Sequence, residues 1–238
     1  MKAFLLAGGR GERLRPLTGS IPKCLAPING TALLTIWLDL LDRQGITDVL
    51  LNVSHHSDQV GAFLTGRASG PRVRLVVERE PRGNAGTVAA NRAFVADSDA
   101  FWIFYADNLT NLDLAPMLAT HEGHTGVITM CLFHAPDPRA AGIVEMEPDG
   151  RIVAFVEKPA QPRGDLANAG IYLARGDLFD HIARGDGVVD FGHDVFPRLL
   201  GRMYGHVTTD FLMDIGTPSA LSRAAEAWSR LRAREVRA

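Results

Sequence analysis

Short runs of wholly apolar residues alternate with longer amphipathic runs along the first half of the chain. The apolar runs predict five strands, at 3–7, 49–53, 73–78, 101–106 and 127–133. The amphipathic patterns between them predict helices near 32–44, 58–64, 85–95 and 114–121. Strands that are apolar throughout are typical of a parallel sheet covered by helices on both faces. We therefore expect an α/β fold with a doubly wound, mostly parallel, Rossmann-like sheet.

The pattern changes after residue 140. Runs at 143–147 and 152–156 flank Asp149-Gly150, a pair typical of a β-hairpin turn. Later runs predict a strand, two helical stretches, two short strands and a last helix, at 169–173, 177–183, 194–200, 204–207, 209–213 and from Thr217 onward. No repeat or long linker interrupts the sequence, so we expect one domain over 1–238, with a β-hairpin elaborating its second half.

Composition excludes several classes of protein. The chain has 25 Lys and Arg against 27 Asp and Glu, a net charge of −2, whereas nucleic-acid binding leaves a basic footprint. No apolar run approaches the length of a membrane span, so neither nucleic acid nor a membrane is an expected partner. Cys24 and Cys131 have no ligand-like spacing and form no disulfide framework, which indicates a reducing, cytoplasmic location.

The loop after the first strand carries the strongest functional signal. It contains three glycines, Gly8, Gly9 and Gly11, which let backbone N–H groups approach an anion closely. Arg13 can grip a phosphate through its planar fork, and Lys23 can act as a point charge. Residues 1–23 hold five basic side chains against one acidic side chain, so we expect a polyanionic ligand here.

Known glycine motifs do not fit this loop. Leu14 stands where the third glycine of a dinucleotide fingerprint belongs, and no G-x-x-x-x-G-K-[ST] occurs in the chain. A purely structural glycine turn remains an alternative, although it leaves Arg13 and Lys23 unexplained. His121 and His124 lie three residues apart without a third ligand nearby, so zinc is not expected.

The run from Ala7 to Thr18, followed by Pro22-Lys23, resembles the signature of the sugar-1-phosphate nucleotidylyltransferases, G-G-x-G-T-R-L-x-P-L-T-x-x-x-P-K-P. Glu12 replaces the usual Thr and Cys24 the usual Pro, and neither change removes a phosphate-binding group. Further stretches match the family in order: 80–87 with E-P-L-G-T-A-G, Asp107 with a strand-end Gly-Asp, 155–159 with E-K-P, 168–172 with N-A-G-I-Y, and 213–218 with D-x-G-T-P.

The resemblance implies a role for each matching residue. The nucleotide would be bound by Leu6, Ala7, Gly8, Gly9, Gly11, Arg13, Lys23, Gly83, Asn84 and Gly86. The sugar phosphate would be bound by Gly142, Glu157, Lys158 and Asn168. The catalytic groups would be Arg13, Lys23 and Asp107.

Asp107 and Asp214 are the predicted metal ligands. Two carboxylates with phosphate oxygens and waters make a plausible Mg²⁺ site. Taken singly, Asp107 could be a turn former at a strand end, and Asp214 a cap-like residue before Thr217-Pro218.

The implied reaction is attack by a sugar-1-phosphate oxygen on the α-phosphate of a nucleoside triphosphate, with pyrophosphate leaving. The sequence looks closest to guanylyltransferases acting on mannose- or heptose-1-phosphate, so GTP is favoured. Ala141 replaces the aromatic residue that the family usually has before Gly142, which leaves the sugar open. About 20 residues follow Pro218, so no C-terminal β-helix domain is expected, and a homodimer remains open.

Three alternatives remain. The first is a family member that uses UTP, dTTP or CTP. The second is a regulatory subunit that binds a nucleotide sugar without turnover. The third is a glycosyltransferase with an Asp-x-Asp metal motif, but Asp97-Ser98-Asp99 precedes a predicted strand where such a motif should follow one, and we interpret it as a turn.

Overall fold

The computed structural model describes residues 1–9, 11–183, 185 and 187–235. Contacts between residues divide the chain into two compact units. Unit 1 comprises Met1–Phe4, Glu80–Phe104 and Asp113–Asp210, and unit 2 comprises Leu5–Arg79, Tyr105–Leu112 and Phe211–Ala238. The prediction of a single nucleotidyltransferase domain without a β-helix domain stays a prediction.

Strands and helices alternate along most of the described chain. The strands are β1 (Lys2–Leu6), β2 (Pro27–Ile28), β3 (Thr31–Ala32), β4 (Asp48–Val53), β5 (Arg72–Val77), β6 (Ala100–Tyr105), β7 (Asn108–Thr110), β8 (Ile128–His134), β9 (Gly142–Met146), β10 (Ile152–Glu157), β11 (Leu166–Arg175), β12 (Met203–Val207) and β13 (Leu212–Asp214). The α-helices are α1 (Leu33–Arg43), α2 (Ser57–Thr65), α3 (Asn84–Ala90), α4 (Ala115–Glu122) and α5 (Pro218–Glu235).

Within unit 1 the strands follow the order β10–β9–β11–β6–β1, and β8 pairs with both β11 and β12. β11 runs antiparallel to β6, β8 and β9, while β12 runs parallel to β8. Strands β9 and β10 form the predicted hairpin. Within unit 2 the order is β1–β4–β5, and β4 and β5 are parallel. The predicted α/β class, with a mostly parallel central sheet and a hairpin in the second half, is confirmed.

Burial explains why the apolar runs became strands. Four consecutive residues of β6, from Phe101 to Phe104, are at most 1% exposed, as expected for a strand covered on both faces. Helix α1 buries Leu34, Trp37, Leu38 and Leu41, whose spacing places them on one helical face. Each unit therefore has a core of its own around these elements.

Three helical predictions needed adjustment. The stretch predicted at 177–183 is a 3-10 turn over Gly176–Asp180. The pattern at 85–95 is split into α3 and a 3-10 turn over Arg92–Val95. The pattern at 194–200 belongs to a π turn over Phe191–Val195 and a 3-10 turn over Phe196–Arg198, where Pro197 supplies no backbone donor for a regular helix. No helix among the described residues is both long enough and apolar enough to cross a bilayer.

Candidate active site

The glycine loop of unit 2 begins where β1 ends. The N–H of Ala7 donates to the carbonyl oxygen of Asn52 at 3.2 Å and to its side-chain Oδ1 at 2.9 Å. The Ser54 hydroxyl donates to the Gly8 carbonyl at 2.7 Å. A Cβ on Gly8 would lie 2.6 Å from Asn52 Nδ2, whereas a Cβ on Gly9 would meet nothing within 4 Å. Gly8 is therefore required by packing, while Gly9 leaves open space beside the backbone.

The loop then turns sharply at Gly11. Its backbone is left-handed, with φ 63° and ψ 22°, which favours glycine. The Thr18 hydroxyl donates to the Gly11 carbonyl at 2.7 Å and closes the turn. Leu14 is fully buried, which explains an apolar residue where a dinucleotide fingerprint would have glycine. Arg10 lies outside the described residues.

Two of the predicted catalytic side chains form an ion pair. Lys23 Nζ lies 3.0 Å from Asp107 Oδ2. The Lys23 side chain is 12% exposed and the Asp107 side chain 41% exposed. The lysine is therefore largely buried, while the carboxylate that it contacts is open to solvent. The lysine stem also limits space behind the loop, because a Cβ on Gly11 would be 3.4 Å from its Cβ.

A short two-stranded ladder brings the two predicted metal ligands together. β13 pairs antiparallel with β7, and Asp214 lies opposite Asn108. The N–H of Ile215 donates to the Asp107 carbonyl at 3.1 Å. The two aspartates, far apart in sequence, thus meet at one end of this ladder in unit 2, Asp214 as the last residue of β13 and Asp107 directly before β7.

Arg13 lies against the same strand end. A Cβ on Gly216 would be 3.1 Å from Arg13 Nη2 and 2.7 Å from Asp214 Oδ1. Asp214 Oδ1 accepts the Gly216 N–H at 2.7 Å, which fixes this carboxylate while its other oxygen is not used by that bond. Unit 2 therefore gathers two cations and two carboxylates at the glycine loop.

This donor set fits a shared Mg²⁺ ion. Magnesium is usually held by one or two carboxylates and completes its shell with waters and substrate phosphates. Within the described ranges, no group of three or more His, Cys, Asp or Glu side chains forms a metal cluster. A pair of carboxylates beside cationic side chains suits an ion held jointly with a phosphate.

The predicted sugar-phosphate residues cluster in unit 1. Gly142 on β9 pairs with Glu157 at the end of β10. A Cβ on Gly142 would lie 2.7 Å from Glu157 Oε2 and 2.7 Å from Phe155 Cζ, and a Cβ on Gly192 would lie 3.2 Å from the same Oε2. The Glu157 carboxylate is therefore seated between two glycines, and any side chain at Gly142 displaces it.

Lys158 has an unusual backbone for a non-glycine residue, with φ 46°. Its N–H donates to the Ala141 carbonyl at 3.1 Å, and its Nζ lies 3.5 Å from Glu157 Oε1. The lysine side chain is 63% exposed. This residue thus presents an exposed cation next to the Glu157 carboxylate.

Asn168 is held by its own strand. Its Nδ2 donates to the buried Tyr172 hydroxyl at 2.8 Å, and its Oδ1 accepts the Gly170 N–H at 2.9 Å. The pairing of β11 with β8 shifts register between Asn168 and Tyr172. The preceding residue, Ala167, pairs with Ile143, the neighbour of Gly142.

The loop that carries the predicted nucleotide-binding residues Gly83, Asn84 and Gly86 forms hydrogen bonds within the protein. A Cβ on Gly83 would lie 2.3 Å from the Val189 carbonyl, which accepts the N–H groups of Ala85 and Gly86, each at 3.1 Å. Asn84 Oδ1 accepts the Phe191 N–H at 2.6 Å. Asn84 Nδ2 donates to Asp190 at 2.6 Å. In this arrangement Asn84 shapes the loop, and its nucleotide-binding role stays a prediction.

Sequence reasoning missed the residues behind these loops. Asn52 is the one polar residue within the apolar stretch of β4, a signal that could have been noticed. The Asp190 side chain accepts hydrogen bonds from the N–H groups of Gly192 and His193, and this turn contacts the Glu157 carboxylate at Gly192. No local sequence pattern indicated this role. Asp97 lies in a turn that precedes β6, as predicted, and its carboxylate forms an ion pair with Lys2 in unit 1.

Residues 2–230 match the family model described as "Nucleotidyl transferase". A mannose-1-phosphate guanylyltransferase of Mycobacterium tuberculosis is 36% identical over 228 residues, covering 94% of this chain and 63% of that protein. Mannose-1-phosphate guanylyltransferase 1 of Arabidopsis thaliana is 32% identical over 225 residues, covering 92% of this chain and 62% of that protein. The chain thus spans a little under two thirds of the length of these curated relatives.

Solved structures share the fold. A putative glucose-1-phosphate thymidylyltransferase from Bacillus anthracis, in complex with a sucrose, superimposes with a TM-score of 0.84 at 24% identity, covering 95% of this chain and 94% of that one. HddC from Yersinia pseudotuberculosis, complexed with GMP-PN, gives a TM-score of 0.80 at 24% identity, covering 95% of this chain and 99% of that one.

Proposed function

Because the chain belongs to the nucleotidyl transferase family, we propose that it transfers a nucleoside monophosphate from a nucleoside triphosphate to a sugar-1-phosphate and releases pyrophosphate. The observation that carries the proposal is the β7–β13 ladder, in which Asp214 pairs with Asn108, the residue after Asp107. Arg13 and Lys23 belong to the same unit, and Lys23 forms an ion pair with Asp107. A polyanionic reaction needs this combination of cations, carboxylates and an open glycine backbone.

The triphosphate is bound by the loop from Leu6 to Gly11 in this proposal. The open space at Gly9 lets phosphate oxygens approach the main chain. Arg13 grips the phosphates through its fork, and Lys23 neutralises their charge while it orients Asp107. The positioning of the charges, rather than a covalent nucleophile, then lowers the barrier.

Asp107 and Asp214 would hold Mg²⁺. When bound, the ion neutralises developing negative charge on the phosphate oxygens. Lys23 contacts Asp107 through Oδ2, and Gly216 contacts Asp214 through Oδ1. Each of these bonds fixes the orientation of one carboxylate.

The sugar phosphate is bound in unit 1 by the cluster around Gly142. Glu157 accepts hydrogen bonds from sugar hydroxyls, and its position is fixed by the glycines that surround it. Lys158 neutralises the sugar's phosphate with its exposed ammonium group. Asn168 adds a polar contact from β11.

GTP and mannose-1-phosphate are the substrates that we propose first, since the curated relatives named above are mannose-1-phosphate guanylyltransferases. Heptose-1-phosphate stays open as the other sugar, because Ala141 departs from the family's aromatic residue and leaves the sugar undecided. A regulatory binding subunit is disfavoured, since it would not need a carboxylate pair for metal. We also propose a reducing cytoplasmic location, because both cysteines are buried free thiols. The homodimer stays a prediction.

The experiment measures pyrophosphate release with Mg²⁺, across ATP, CTP, GTP, UTP and dTTP and a panel of sugar-1-phosphates. Release with GTP and mannose- or heptose-1-phosphate is expected. Binding of both substrates without release of pyrophosphate would support the regulatory alternative. Release with a different triphosphate would show that the base is not guanine.

A matched pair of variants tests the loop. Neither Gly9 nor Gly19 would bring an added Cβ within 4 Å of another group, so both alanine variants should fold normally. Gly9→Ala should raise KM for the triphosphate about tenfold, the cost of about 1.4 kcal/mol in phosphate contacts. Gly19→Ala should leave KM unchanged. Equal KM values in the two variants would remove Gly9 from the binding surface.

A further inference from the structure

We infer that Asn52 is a positioning residue for the glycine loop, and that Glu78 sets the orientation of its side-chain amide. The inference rests on the proposed function of that loop. Both residues are buried, at 4% and 8% exposure, Asn52 within the apolar stretch of β4 and Glu78 directly after β5. Buried polar side chains are costly unless they are bonded, so a pair of them beside a candidate phosphate loop needs a physical reason.

The hydrogen bonds assign each atom of the Asn52 amide. Nδ2 donates to Glu78 Oε2 at 3.1 Å. A carboxylate accepts and does not donate, so this bond turns Nδ2 toward Glu78 and leaves Oδ1 to face the loop. Oδ1 then accepts the Ala7 N–H at 2.9 Å. The carboxyl group thus dictates which end of the amide meets the loop.

The backbone is also held on the far side of Gly8. The Gly8 carbonyl, one residue after Ala7, accepts the Ser54 hydroxyl at 2.7 Å. Asn52 and Ser54 both come from the carboxyl end of β4 or the residue that follows it, so one strand end holds the Ala7–Gly8 segment from two directions. The segment has little freedom to rotate while these bonds are intact.

Steric contact completes the arrangement. A Cβ on Gly8 would be 2.6 Å from Asn52 Nδ2 but 3.7 Å from Glu78 Oε2. The amide therefore excludes any side chain at Gly8 and keeps the backbone close to β4. A shift of about 1 Å in such a loop costs a phosphoryl-transfer site on the order of a hundredfold in rate.

An exchange of hydrogen-bonding roles tests the inference. Asn52→Asp keeps an acceptor for Ala7 but places two carboxylates together, and Glu78→Gln loses the group that orients the amide. In the double variant Asn52→Asp/Glu78→Gln, the glutamine amide donates to the new carboxylate, which still accepts from Ala7. Each single variant should lower kcat/KM for the triphosphate at least about tenfold, and the double variant should return to within about threefold of wild type. KM for the sugar-1-phosphate should stay constant in all three.

A second pair of variants separates stability from positioning. Gly8→Ala should lower Tm because of the contact with Asn52, and Gly8→Ala/Asn52→Ala should recover the part of the Tm that this clash removes, because the nearest remaining atom is 3.7 Å away. Activity should not recover with Tm, since the side-chain bond from the Ala7 N–H to Asn52 Oδ1 is gone and only the longer bond to the Asn52 backbone carbonyl remains. Parallel recovery of Tm and kcat/KM would overturn the positioning role, and so would a double exchange variant no better than its single parents.

Amide hydrogen exchange at Ala7 distinguishes this inference from the proposed function. Protection should fall in Asn52→Ala and Glu78→Gln and return in the exchange variant, whether or not the protein is active. An inactive wild-type protein with this protection pattern would reject the proposed function and keep the positioning role. Unchanged protection in the single variants would overturn the positioning role even in an active enzyme.

Discussion

Replacing Gly142 with alanine should damage the sugar-phosphate cluster in two measurable ways. The added Cβ would lie 2.7 Å from Glu157 Oε2, 2.7 Å from Phe155 Cζ and 2.9 Å from Phe155 Cε2. Ordinary contacts lie between 3.4 and 4 Å, so both side chains must move by roughly an ångström. Phe155 packs edge-on against the buried Phe196 with ring centroids 5.2 Å apart, which resists that movement.

The cost follows from overpacking. Forcing a methyl group into an occupied space costs about 1–3 kcal/mol. For a chain of this length, each kcal/mol lowers Tm by roughly 2–4 °C, so Gly142→Ala should lose about 2–12 °C. Displacement of Glu157 should also raise KM for the sugar-1-phosphate while KM for the triphosphate stays constant.

Thermal denaturation and steady-state pyrophosphate release measure these effects. Gly164→Ala is the matched control, because an added Cβ there meets nothing within 4 Å. Gly142→Ala/Glu157→Ala removes one of the two clashes and should recover part of the Tm without recovering sugar-phosphate affinity. A Gly142→Ala variant with wild-type Tm and wild-type KM would refute the reasoning.

Burial and Arg175 lower the pKa of His121 to about 3, and since an unfolded histidine titrates near 6.5, the stabilisation is complete above pH 6.5 and declines as pH falls toward 3. Urea unfolding between pH 7 and 5 should show a contribution from this group whose slope rises as pH falls and approaches about 1.4 kcal/mol per pH unit near pH 5, and this contribution should be absent in His121→Gln. Burial raises the thiol pKa of Cys24 and Cys131 to about 12, so a thiol-reactive disulfide reagent at pH 8 should label both only after unfolding. Gly83→Ala, with φ 75° and a Cβ 2.3 Å from a carbonyl oxygen, should fail to fold or lose more than about 10 °C in Tm, while Gly176→Ala should not.

The sequence predicted the strands that build the sheets because burial demands long apolar runs. β4 and β6 are recognisable for this reason, and their observed ends lie within one residue of the predicted ones. β7 was missed because three residues, Asn108–Thr110, carry no detectable period. Its pairing partner lies about 100 residues later, so the ladder that brings the two aspartates together could be seen only in three dimensions.

The sequence identified the residues of the candidate site but not the residues that hold them in position. The resemblance to a family named the loop glycines, Lys23 and the two aspartates. The roles of Asn52 and Glu78 depend on two hydrogen bonds between separate strands, which no local spacing encodes. The same holds for Asp190, whose importance comes from the turn that it begins beside a distant hairpin.

We propose that Asp107 and Asp214 act together on one divalent ion during nucleotidyl transfer. The most direct test is pyrophosphate release at a series of Mg²⁺ concentrations for the wild type, Asp107→Asn and Asp214→Asn. Asparagine keeps the size of each side chain, and at position 214 it keeps an acceptor for the Gly216 N–H. Both variants should stay folded and lose at least about a hundredfold in kcat, the scale expected when several kcal/mol of charge stabilisation are removed. Near-wild-type turnover with an unchanged Mg²⁺ requirement in either variant would contradict the account.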